Sequence, residues 1–216
     1  MILEENAGVF DVASFEIAKY PVTYRQYRAF LDSADGYANP DWWYGLRHEP
    51  QPGEQYRLFG NCPADRVSWY DAVAFCRWLS ARLGYEVHLP TELEWQQAAT
   101  GSNPENVYPW GREWESGPAN TSESKLGRIT AVGIYPAGAS KQRVMDLVGN
   151  VWEWCLNKRD HPKDIDLSGD DRRVTRGGSW DYVRNHARAA FRLDLRPHHR
   201  GSRGSRGFRV ARCSPI

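Results

Sequence analysis

The segment FEIAKYPVT, Phe15 to Thr23, alternates apolar and polar positions and then meets proline, which predicts a strand ending at Pro21. Thr23 then serves as cap for a helix with Tyr24, Tyr27, Phe30 and Leu31 on one face. The clearest helix follows Ser68. An acid stands three residues on at Asp71, the apolar face runs through Ala72, Phe75, Cys76 and Leu79, and Gly84 is the stop. EVHLP predicts a short strand. TELEWQQAATG then repeats the helical logic, with Thr91 as cap, Glu94 completing a capping box and Gly101 as exit. Beyond Gly101 the helical spacing ends. Short apolar pieces (AVGIYP, VMDLVGNVWEW, VTRGGSW) and a terminal GFRVARC predict short strands joined by long ordered loops. The Gly-, Pro- and aromatic-rich stretch 35–66 predicts a long loop with its own packing, which covers Trp42, Trp43, Tyr56 and Phe59. The pattern is α+β, with helices confined to the first half.

Composition adds little except in one respect. With 216 residues, 41% apolar and 25% charged, the chain has the length and make-up of one globular domain. Its net charge of +1 offers no global attraction for nucleic acid. Ten tryptophans and eleven tyrosines are unusual, and they suit a loop-rich domain in which large rings cover backbone. Trp69, Trp78, Trp95, Trp152, Trp154 and Trp180 are expected as anchors of core and loops. The four cysteines, Cys62, Cys76, Cys155 and Cys213, form no CxxC pair and are read as reduced thiols of a cytoplasmic protein. No apolar run reaches the ~18 residues of a membrane span, and MILEENAGVFDVASF has neither the basic nor the apolar region of a signal peptide.

The stretch after Trp180 is the odd one. Arginine falls at 184, 188, 192, 196 and 200, and again at 203, 206 and 209. A helix striped with arginine at that spacing repels itself, and Pro197, Gly201 and Gly204 interrupt it. RGSRGSRGFR also looks like a phosphate-gripping tail, but it runs into a strand of buried type. Between 181 and 206 there is no Lys, Glu, Gln, Met or Trp.

Seven motifs occur in one order: KYPVTYRQYRAFL, PADRVSWYDAVAFCRWLS, HLPTELEWQQAA with YPWG, ANTSES, MDLVGNVWEW, RGGSW and GFRVAR. Together they resemble the formylglycine-generating-enzyme (sulfatase-modifying factor) domain, a branch of the C-type-lectin-like fold, from Phe15 to Arg212. The resemblance implies an α+β fold of two main helices, short strands and long loops, in a single domain over 1–216 that can form the C-terminal part of a longer chain. Catalytic members oxidise a cysteine of a client sulfatase with copper held by a cysteine pair after GGSW. Here that stretch is DYVRNHARAAFR, without cysteine, and Cu(I) needs soft thiolates. A second branch, sulfoxide synthases of thiohistidine biosynthesis, holds iron with three histidines in a separate helical domain. The histidines of this chain (48, 88, 161, 186, 198 and 199) show no ligand spacing. Neither copper nor iron is expected, and the chain is read as having no catalytic activity. Framework arginines of the family match Arg188, Arg192 and Arg200. The resemblance also implies calcium, held by the Asp146 and Glu153 side chains with the Gly149 and Val151 carbonyls. A weaker second set comprises Asn120 and the Thr121 carbonyl, completed by Ser124 and the Leu126 carbonyl, with Ser124 standing where the family often has aspartate and Glu123 as the charge that could compensate.

Some members of this fold are variable proteins of diversity-generating retroelements, in which template adenines are miscopied. Codons AAC and AAT altered at their first two bases cannot yield Lys, Glu, Gln, Met or Trp, the five types missing here. The varied segment of such proteins lies between RGGSW and GFR and builds a ligand-binding face on a rigid scaffold. On this reading the chain binds an unknown protein ligand, with neither membrane nor nucleic acid as partner. Its face comprises Asp181, Tyr182, Val183, Arg184, His186, Phe191, Leu193, Leu195, His199, Gly201 and Ser202. The competing expectations are a metal-dependent oxidase and an arginine-rich nucleic-acid-binding module.

Overall fold

The computed structural model describes residues 11–214 apart from 57, 102, 104, 203 and 204. The first ten residues, most of the signal-peptide reading, and Arg203 and Gly204 of the arginine series therefore lie outside the described residues.

Three helices form where the capping signals stand. α1 spans Tyr24–Asp32 behind a Thr23–Gln26 capping box, α2 spans Trp69–Leu83 behind Ser68–Asp71, and α3 spans Glu92–Thr100 behind Thr91–Glu94. Each cap satisfies amide donors that a helix start leaves over, worth about 1 kcal/mol. α2 and α3 stop at Gly84 and Gly101, whose φ of 74° and 62° suits glycine. The face foreseen on α2 is too narrow. Asp71, Val73, Ala74 and Trp78 are buried along with Ala72, Phe75 and Cys76, because the chain wraps this helix on several sides.

The strands are few and short. β1 (Phe15–Ile17) pairs antiparallel with β6 (Ala211–Cys213), which ties the two ends of the described chain together. The main sheet has the order β4-β3-β2-β5, where β2 is Trp152–Lys158, β3 Arg173–Arg176, β4 Leu193–Leu195 and β5 Arg206–Gly207. β5 runs parallel to β2 and the other neighbours are antiparallel. Two expected strands are not strands. EVHLP contributes one bridge, His88 to Ala211, and AVGIYP passes through turns into a 3-10 turn at Pro136–Gly138. VMDLVGNVWEW becomes strand only from Trp152. Asp146, Gly149 and Asn150 before it have φ of 56°, 73° and 66°, which an extended strand does not admit.

The largest core cluster packs α1 and α2 against Trp154 and Phe208, with Phe75 and Phe208 ring centres 5.3 Å apart. The six anchor tryptophans are buried. Three of them spend their N–H on distant backbone or side chain: Trp69 on the Cys155 carbonyl, Trp154 on the Val67 carbonyl and Trp95 on Glu153. In the 35–66 loop Trp43 is covered, but Tyr56 and Phe59 stay exposed, against the expectation that both would be packed. No helix of the described residues is long and apolar enough to cross a membrane.

Candidate functional site

Residues 181–186 leave the RGGSW turn and enter a short 3-10 turn, Arg184–Ala187. Their backbone is tied to the scaffold. The Ser122 amide donates to the Tyr182 carbonyl at 3.0 Å, and the Arg184 amide donates to Glu123 Oε1 at 2.8 Å. Burial alone would raise the Glu123 carboxyl. The Arg184 amide, with the Ser122 hydroxyl, outweighs it and holds the group below its ordinary value. Asp181 accepts from the Ser179 hydroxyl at 2.7 Å. Over this fixed backbone Val183 is 44% exposed, and Arg184 and Asn185 are also exposed.

The other face residues divide. The His199 ring accepts from the Gly201 amide at 2.9 Å, and Gly201 has φ +73°. His199 and Ser202 are exposed. Arg206 joins the two groups, because its guanidinium interacts with Tyr182 and Asp181 on one side and with His199 on the other. Three expected face residues are placed elsewhere. Phe191 is buried against the Trp152 and His186 rings, so it supports the face from below. Leu193 and Leu195 lie in edge strand β4, across β3 and β2 from β5, and Leu195 packs on the main core. Period-two alternation points their side chains to one side of that strand while Asp194 pairs with Arg159 and Arg172 on the other.

The loop before α2 also exposes large apolar side chains that the sequence did not single out as a surface. Leu58 and Phe59 are 71% and 65% exposed, on the loop whose Cys62 packs with Trp180. The available signal was two consecutive large apolar residues in a Gly- and Pro-rich loop.

Most of the arginine series is framework. Arg192 forks onto buried Glu92 at 2.7 and 2.8 Å, and Arg176 reaches the same carboxylate at 3.2 Å. Arg200 forks onto Asp71 at 3.0 and 3.1 Å, Arg209 forks onto Glu153 at 2.6 and 2.7 Å, and Arg196 pairs with Asp170 at the surface. Arg188 donates to the Asn185 carbonyl.

Neither calcium set fits the ion as arranged. Glu153 is fully buried with both oxygens on the Arg209 guanidinium and a further bond from Trp95, so a cation there would meet a cation. Asp146 is engaged by the Gly133 amide at 2.6 Å, while the Gly149 amide donates to the Gly177 carbonyl. In the second set the Asn120 Oδ1 and the Thr121 carbonyl both accept from the Ser124 hydroxyl, at 2.9 and 2.7 Å. The Glu123 carboxylate beside that set accepts from the Arg184 amide, and calcium affinity depends on ligand charge. Among the described residues no three His, Cys, Asp or Glu side chains gather as a metal cluster.

A short curled sheet, three helices and long loops pinned by buried arginine–carboxylate pairs define a C-type-lectin-like fold of the formylglycine-generating-enzyme type. The chain belongs to the sulfatase-modifying factor enzyme 1-like domain family, whose family model matches residues 4–214. It is 33% identical over 232 residues to hercynine oxygenase of Mycobacterium tuberculosis, covering 91% of this chain and 52% of that protein. It is 31% identical to formylglycine-generating enzyme of Streptomyces coelicolor, over 81% of this chain and 62% of that one. It is also 33% identical to an inactive C-alpha-formylglycine-generating enzyme 2 of Bos taurus, over 79% of this chain and 58% of that one. The chain thus spans about half to three-fifths of these relatives' length. Among solved structures, Treponema denticola variable protein 1 superposes with a TM-score of 0.70 at 22% identity, covering 93% of this chain and 84% of that one.

These relatives correct the expectation of a chain without catalysis. That expectation came from a missing copper-holding cysteine pair and from histidines without the spacing of iron ligands. The pair belongs to one chemistry of the family, and relatives at 30–33% identity also bear the name of an oxygenase.

Proposed function

We propose that this chain recognises a protein ligand through the surface formed by residues 181–186 with His199, Gly201 and Ser202, and that this surface is diversified. The observation that carries the reading is the separation of roles at 182–185. The backbone is held by Ser122, Glu123 and Tyr108, while Val183, Arg184 and Asn185 project outward. Such a segment tolerates new side chains without losing its shape. The five missing residue types and the fold shared with a variable protein agree with it. Arg192, Arg196 and Arg200 are engaged by carboxylates, which leaves little of the arginine series for phosphate and favours protein over nucleic acid.

The encoding locus tests the diversification. A near-identical non-coding copy of the region for residues 176–209, differing only where it carries adenine, is expected nearby. Its absence would remove diversification and leave the face to be tested by binding alone.

The 33% identity to an oxygenase over 91% of the chain favours a second reading, a metal-dependent oxidation in which this domain forms part of the site. Oxygen uptake with thiol substrates, with and without iron or copper, separates the two. Metal-dependent turnover would establish the second reading.

A further inference from the structure

Resting on the face proposed above, we infer that Arg206 forms an anion subsite in its floor and takes a carboxylate of the ligand. Arg206 is 4% exposed. The buried arginines Arg176, Arg192 and Arg209 each grip a carboxylate, and so does half-buried Arg200, but Arg206 has none within ion-pair distance among the described residues. Buried Arg173 also lacks one. Its two terminal nitrogens are satisfied by three carbonyls, of Leu156, Asp166 and Ser168, and it lies 4.0 Å over the Trp69 ring. Arg206 has two long bonds, at 3.3 and 3.2 Å, to the carbonyl and hydroxyl of its own neighbour Ser205, and its guanidinium also interacts with the Tyr182 side chain and, beyond ion-pair distance, with Asp181. A buried charge without a carboxylate at ion-pair distance is costly.

Polar nitrogens are left over around it. Trp152, 5.6 Å from the guanidinium, has no partner for its indole N–H. The His186 Nδ1 is also without a partner, and its ring meets Tyr182 and Phe191, which both pack on Trp152. An unpartnered Nε alone would decide nothing, since Arg173 and Arg176 share it. The missing anion together with the spare indole and imidazole nitrogens points to a ligand.

A carboxylate fits better than a phosphate. One guanidinium balances one negative charge, and nearby Asp181 disfavours a dianion. The carboxylate would come from an acidic side chain or from a chain terminus of the partner.

The test titrates the protein with acetate and with inorganic phosphate at constant ionic strength, reading tryptophan fluorescence, since Trp152 lines the subsite. Saturable acetate binding is expected, tighter than phosphate, and weakened at least tenfold in Arg206→Met. Arg206→Lys, which keeps the charge, should retain part of it and guards against a fold defect in the methionine variant. Two peptides then locate the source, one with a free C-terminal carboxylate and one amidated with an internal glutamate. Either binding supports the subsite and names its ligand. No acetate response, or an equal response in Arg206→Met, overturns it. The proposed face is judged separately, by capture of the protein ligand in Val183→Asp and Arg184→Ala.

Discussion

Replacing Glu92 by glutamine removes a charge that two arginines share. Glu92 is fully buried and accepts from Arg192 Nε at 2.7 Å, Arg192 Nη2 at 2.8 Å, Arg176 Nη2 at 3.2 Å and Asn157 Nδ2 at 3.0 Å. Glutamine keeps the shape and one acceptor but leaves two guanidinium groups without an anion. Breaking a buried pair from one side costs about 3–5 kcal/mol, mostly as uncompensated charge. At roughly 2–4 °C per kcal/mol for a chain of this size, Tm should fall by roughly 6–20 °C. The loss should also loosen the face, because Arg176 holds the Ala189 and Phe191 carbonyls beneath His186. Urea unfolding and thermal scanning measure both variants, with Glu105→Gln as control. The Glu105–Arg112 pair is exposed and its loss should not be measurable. Removing one cation as well, in Glu92→Gln with Arg192→Met, should restore part of the stability. A loss below about 1 kcal/mol in Glu92→Gln would refute the reasoning that buried charge pairs pin these loops.

Four further outcomes are expected. Gly149→Ala should destabilise by more than about 2 kcal/mol in chemical unfolding, since φ is +73° and the new methyl would overlap the Asn120 carbonyl oxygen. Burial raises the Asp146 carboxyl above its ordinary value, against the opposing Gly133 amide and Arg209 charge. A raised folded value means that Asp146 favours folding most below the ordinary carboxyl pKa and loses that contribution as pH rises through the folded value. Asp146→Asn should therefore be more stable than wild type at neutral pH, with the difference vanishing in acid; a difference independent of pH would count against this. Val183→Asp and Arg184→Ala should leave unfolding within about 0.5 kcal/mol of wild type while altering ligand capture. A thiol reagent should modify Cys213 quickly and Cys62, Cys76 and Cys155 only on unfolding, because these three are buried and burial pushes the Cys76 and Cys155 thiols up.

What the chain carries locally was legible from its letters. The three helices begin at Thr23, Ser68 and Thr91 because a hydroxyl and a residue three on satisfy the first amides, an arrangement complete within four residues. The class of fold was legible from the order of seven motifs. Partners far apart in the chain were decided only by tertiary structure. EVHLP and AVGIYP have strand composition but find no neighbouring edge to pair with along their length, and strand pairing is non-local. Phe191 and Arg206 fall inside one polar, arginine-rich segment, yet the sheet and Trp152 bury both, while Val183 stays outside. The arginines look alike in sequence. Arg192 and Arg200 are framework because Glu92 and Asp71, 100 and 129 positions away, reach them. Arg206 is buried with no carboxylate at ion-pair distance among the described residues, and no local pattern encodes that difference.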